Sequence, residues 1–123
     1  MWLFSKTGFI SVVVDRGNSD RLLVRARFAG DIEQIFGPAI LVRETPFADY
    51  RFRAFIRRRE FTKIVARMID EMDYDNFKNA VAPRDPERIS AYMSVWSVME
   101  RAQQDKVAGE ESEEMLRRMG WSI

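Results

Sequence analysis

The sequence predicts an α+β fold: a four-stranded antiparallel sheet with two helices packed on one face, followed by C-terminal helices. Three observations carry this. Between Tyr50 and Arg57 the side chains alternate, with Tyr50, Phe52, Ala54 and Ile56 against Arg51, Arg53, Phe55 and Arg57, which is the period of a strand. From Phe61 the period lengthens, and Phe61, Ile64, Val65, Met68, Ile69 and Met72 fall on one helical stripe. Along the chain, extended and helical segments follow the order strand, strand, helix, strand, strand, helix.

Taken in order, Trp2–Phe4 and Phe9–Val14 read as one extended region, bent or bulged at Gly8. The turn-rich run Asp15-Arg16-Gly17-Asn18-Ser19-Asp20 reverses the chain. Arg21–Phe28 is the second strand, with Val24, Ala26 and Phe28 on one face and Leu23, Arg25 and Arg27 on the other. Gly30-Asp31 opens a short helix through Phe36, the acid near its positive end, and Gly37-Pro38 stops it. Ala39–Glu44 is the third strand, and Thr45–Asp49 is the loop into the fourth. A helix from about Glu60 to Met72 follows. This ββαββα order is that of a ferredoxin-like domain whose last strand has moved to the front. It sets the second and fourth strands side by side at the centre of the sheet.

Asp73–Asn79 is a polar–aromatic segment, and Pro83-Arg84-Asp85-Pro86 breaks the chain before a helix beginning near Glu87. On that helix Ile89, Tyr92, Met93, Trp96 and Met99 make a second apolar stripe. The chain is polar from Glu100 to Gly109. Acids, then bases, then Gly120 predict a last short amphipathic helix. The expected organisation is one α+β domain over residues 1–99 and an extension over 100–123.

At 123 residues, 46% hydrophobic and 32% charged, the chain suits a single soluble domain. No apolar run is long enough for a membrane helix, and the apolar N-terminus alternates without a basic leader, against a signal peptide. The absence of cysteine excludes disulfides, thiol catalysis and thiolate metal sites. The absence of histidine removes the commonest general base and metal ligand. No P-loop, GxGxxG, GxSxG or HExxH occurs. Asp73, Asp75 and Asn76 lack the glycine and terminal glutamate of an EF-hand loop, so Asp75 and Asn76 read as backbone caps beside Tyr74 and Phe77. The expectation is a cytoplasmic, non-enzymatic protein with no metal, cofactor or membrane partner.

Trp2-Leu3-Phe4 with Gly8-Phe9-Ile10-Ser11-Val12-Val13, Leu23–Arg27, Asp49-Tyr50-Arg51-Phe52-Arg53-Ala54, Asp73–Lys78 and Tyr92 with Val95-Trp96 form a recognisable set. Over residues 1–99 the chain resembles a widespread family of short, uncharacterised bacterial proteins. That resemblance implies no activity. Members often carry a histidine or two in the helical half, and this chain has none.

Charge is unevenly spread. Residues 21–67 hold eleven Lys/Arg against five Asp/Glu, and the remainder is net acidic. With the second and fourth strands adjacent, Arg25, Arg27, Arg51, Arg53 and Phe55 share the face away from the first two helices. Arginines around an aromatic ring suit single-stranded nucleic acid, the cations neutralising phosphates and the ring stacking on a base. The plainer alternative is a solvated sheet face, or one covered by the C-terminal helices. Arg57 and Arg58, at the strand–helix junction, are further phosphate candidates, although cations there oppose the helix dipole. Met115, Leu116, Met119 and Trp121 could lay an amphipathic helix on a partner chain or fold back on their own domain. The leading expectation is a small binding protein working through protein–protein contacts, as a regulatory adaptor or a phage or bacterial inhibitor of a larger machine. The alternative is a nucleic-acid-binding module that uses the arginine-lined face. Homo-oligomerisation through a sheet edge or the tail is compatible with either.

Overall fold

The computed structural model describes residues 1–81 and 85–121. Pro83 and Arg84 of the expected break lie outside them. The chain divides into two compact units, Met1–Ala80 and Val81–Ile123.

In the first unit, β1 (Trp2–Phe4), β2 (Phe9–Asp15), β3 (Asn18–Ala26), β4 (Arg43–Glu44) and β5 (Phe52–Arg57) form an antiparallel sheet in the order β1-β2-β3-β5-β4. Five strands replace the expected four, because the first extended region doubles back at Gly8 instead of bending. Ser5 makes the reversal. Its N–H and its hydroxyl both reach the Gly8 carbonyl at 2.9 Å, and its Oγ accepts from the Gly8 N–H at 3.0 Å. Glycine is favoured there by space: a Cβ on Gly8 would lie 3.0 Å from the Asp31 carbonyl oxygen and 3.2 Å from the Asp31 Cβ, so Asp31 would have to give way. The sheet's irregularity falls instead between Val14 and Asp15, where Asp15 and Asn18 side chains accept from the Gly17 and Asp20 amides.

Two helices pack on one sheet face, α1 (Asp31–Phe36) and α2 (Arg58–Asp70). Ile10, Val12, Leu22, Val24, Ala26, Ala54 and Ile56 supply the floor, and Ile32 and Phe61 the lid. Gly37, with φ of +93°, ends α1 as the sequence predicts. The buried Asp31 fixes the start of α1 by accepting the Phe9 N–H at 3.0 Å on Oδ2.

The third strand shrinks to Arg43–Glu44 because the chain turns over Gly37–Ile40, the Ile40 N–H reaching the Gly37 carbonyl at 3.4 Å, and Leu41 stands exposed. The α2 stripe is buried only at its N-terminal end. Phe61 is 7% exposed, Ile64, Val65 and Met68 are half-buried, and Ile69 and Met72 are exposed. Met68 lines a cavity of about 280 Å³ with Leu3, Ile35 and Val65, so its truncation removes less packing than a buried stripe implies.

After α3 (Phe77–Val81), the second unit is dominated by α4 (Pro86–Arg118), one helix of 33 residues. Asp85 caps it, Oδ1 accepting from the Arg88 N–H at 3.0 Å, and Pro86 starts its first turn. The expected linker over Glu100–Gly109 is helical, and no separate short helix follows. Glu, Arg, Ala, Gln and Lys are strong helix formers, and the single Gly109 costs only about 1 kcal/mol. At the far end the Trp121 N–H bonds the Leu116 carbonyl and the Gly120 N–H bonds that of Arg117, a Schellman stop at the predicted glycine. No helix among the described residues is long and apolar enough to cross a membrane.

Candidate functional site

The sheet face opposite the core carries the candidate site. Its strand register sets Trp2 opposite Ser11, Ser11 opposite Arg25, Arg25 opposite Arg53, and Arg53 opposite Arg43. A single row of side chains therefore crosses all five strands and ends in three adjacent arginines. Like charges directly opposed on neighbouring strands are destabilising. Internal neutralisation is slight: Arg25 Nη2 donates to Ser11 Oγ at 2.8 Å, and Arg53 Nη2 reaches Asp49 Oδ1 at 3.4 Å. The Nε atoms of Arg25 and Arg53 are buried without an acceptor, a further cost of about 1–3 kcal/mol for each such donor.

Aromatic rings flank the row. Tyr50 is not on the core face, as its alternation with Phe52 predicts. β5 begins only at Phe52, and the Thr45 hydroxyl donates to the Tyr50 carbonyl, holding the preceding residues in a loop. The Tyr50 ring lies instead beneath two guanidiniums, Arg25 at 4.6 Å and Arg27 at 4.3 Å. Arg27 is anchored by its bond to the Asp49 carbonyl at 2.9 Å. Phe55 is 48% exposed and carries the Arg21 guanidinium over its ring at 4.2 Å. Arg21 is also paired with Asp15 at 2.6 Å. The hydrogen bond from Arg21, helped by the Gly17 amide, holds the Asp15 carboxyl below its ordinary range.

Of the seven residues proposed from sequence, Arg25, Arg27, Arg53 and Phe55 come together. Arg57, opposite Arg21 at the end of β5, faces the same way. Arg51 does not join them, because it turns to Glu44 on the edge strand at 2.8 Å. Arg58 is also diverted, its Nη2 and Nε donating to the Ser19 carbonyl at 2.8 and 3.1 Å, a clamp between α2 and the start of β3. Sequence reasoning missed Trp2, Arg21, Arg43 and Tyr50. Arg21 was legible, since it alternates in step with Leu23 and Arg25. Arg43 was not, because only the β4–β5 register brings it to the row.

In the second unit, Met115, Met119 and Trp121 are exposed and Leu116 is half-buried. Trp96, Val98, Met99 and Val107 of α4 are exposed as well, Trp96 and Met99 being members of the second apolar stripe. Trp96, Met99, Ala102 and Gln103 border a shallow groove. Elsewhere, Asn76 Oδ1 caps α3 by accepting the Asn79 N–H at 3.0 Å, with Tyr74 and Phe77 in ring contact. Among the described residues no group of three or more Asp, Glu, His or Cys is placed to hold a metal ion.

No family model, curated protein or solved structure matches the chain.

Proposed function

We propose that the protein is a nucleic-acid-binding module whose site is the arginine-bearing sheet face of the first unit. The observation that carries this reading is the cross-strand row Arg25, Arg53, Arg43. Three like charges in adjacent register cost stability in the free protein, and a phosphate backbone relieves that cost. Guanidinium forks suit phosphate oxygens, and Arg21, Arg27 and Arg57 extend the field around the row. The sheet order β2-β3-β5-β4, with α1 and α2 together on the opposite face, supports this reading because it leaves the arginine-bearing face clear of both helices.

The test is a titration of the full chain with labelled single-stranded and duplex oligonucleotides at two salt concentrations. Binding should weaken steeply as salt rises, by about 0.7–0.9 in the log–log slope for each phosphate neutralised. Arg51→Ala should leave that slope unchanged, since Arg51 is committed to Glu44. Failure of every oligonucleotide to bind at low salt would end this reading.

A second reading, a protein–protein adaptor, has its own support in the exposed apolar residues of α4. Trp96→Asp with Met99→Asp should change stability by less than about 0.5 kcal/mol, as exposed positions do. The same double variant should lose any stoichiometric partner that co-purifies with the native chain. Co-purification that survives both substitutions would count against this surface.

A further inference from the structure

On the reading that the sheet face binds nucleic acid, we infer that Trp2 is its base-stacking residue and that a single strand crosses the sheet from Arg43 to Trp2. The sequence pointed to Phe55 as the stacking ring, but Phe55 already has Arg21 over its ring at 4.2 Å. Tyr50 is less available still, 5% exposed with two guanidiniums upon it. A base reaches either ring only by displacing an arginine.

Trp2 differs in each respect. It is 66% exposed and lies in the same cross-strand row as the arginines. The Ser11 between it and Arg25 is buried, its Oγ taken by the Arg25 guanidinium, so the contacts offered to a ligand are at the two ends of the row. The aromatic contact of Trp2 is with Phe9, edge-on, at 6.1 Å and an interplanar angle of 86°. In an edge-on pair one ring meets the other's face with its edge, so Phe9 leaves at least one face of the indole uncovered whichever ring supplies the edge. Phe4, on β1 with Trp2, stacks on Phe9 of β2 at 4.4 Å, giving Trp2 a firm aromatic neighbour. β1 is also an edge strand, so a base can approach without meeting a further strand.

The row spans four inter-strand steps, roughly 19 Å at ~4.8 Å per step. That accommodates about four nucleotides, the lower end of single-strand site sizes. Phosphates meet the arginine end, and a base meets the indole end. A duplex keeps its bases stacked internally, so it can use the arginines but not Trp2.

The experiment uses the full chain with Trp96→Phe and Trp121→Phe, leaving Trp2 as the sole indole. Three probes are titrated: an oligothymidine of about twelve nucleotides, an abasic single strand of equal length, and a mixed-sequence duplex. The oligothymidine should quench Trp2 fluorescence, and the abasic strand and duplex should bind through phosphates without quenching it. Trp2→Ala should weaken oligothymidine binding roughly tenfold and leave abasic and duplex binding, and every salt slope, unchanged. Trp2→Tyr, which keeps a stacking ring, should recover most of the loss. Oligothymidine binding that neither quenches Trp2 nor weakens in Trp2→Ala overturns the inference and leaves the arginine site standing. Absence of binding by all three probes removes the site and the inference together.

Discussion

Phe61→Ala is expected to cost the first unit about 3–5 kcal/mol, the range for a buried Phe that leaves a cavity. Phe61 lies in the first turn of α2, directly after β5, and is 7% exposed. Its ring meets Phe36 of α1 at 5.6 Å, so it ties both helices to the floor formed by Val24, Ala54 and Ile56. The start of α2 has no side-chain cap at Arg57, so packing of Phe61, not capping, holds the helix end in place. Against a total stability of about 5–15 kcal/mol for an ordinary domain, that loss is large. Ile69→Ala on the same helix is the internal comparison, because Ile69 is 62% exposed. It should cost below about 1 kcal/mol. Urea unfolding followed by circular dichroism gives both values. Equal costs for the two substitutions would mean that the α2 stripe is not anchored at its N-terminal end.

That comparison shows what periodicity reveals and what it leaves out. Helical spacing named Phe61 and Ile69 as equivalent members of one stripe, because a repeat reports which way a side chain points and not how far the surface beneath it extends. The same limit applies to α4, where Trp96 and Met99 keep the stripe's spacing but are exposed. Strand alternation served better. Val24, Ala26, Ala54 and Ile56 are core, and Arg25, Arg53 and Phe55 face away from them. It failed at Tyr50, where a threonine hydroxyl bonded to a carbonyl five residues on keeps the chain out of the ladder. The β1–β2 reversal was missed because Ser5-Lys6-Thr7-Gly8 lacks a strong turn dipeptide. Its turn depends on a serine side chain and on close approach to Asp31, a contact distant in sequence. Registers between strands far apart in the chain are fixed by such contacts, so the row that reaches Trp2 and Arg43 emerges only from the folded sheet.

Arg43→Thr combined with Arg53→Thr should separate binding from stability. Each phosphate contact on a single strand contributes about 0.7 to the salt slope, which at 50 mM salt is roughly tenfold in affinity. Losing two should weaken single-strand binding by about a hundredfold and lower the slope by about 1.4. Stability should hold or rise. The substitutions remove two members of a row of directly opposed like charges and eliminate a buried Nε without an acceptor, and threonine suits a pleated strand. The interaction given up is the 3.4 Å contact of Arg53 with an exposed Asp49, a pair worth little in solvent. An ordinary solvated sheet face predicts a different outcome in binding: no change in the salt slope. A double variant that unfolds more readily than the native chain would show that the arginines serve the fold, and the case for a site held at the expense of stability would fall with it.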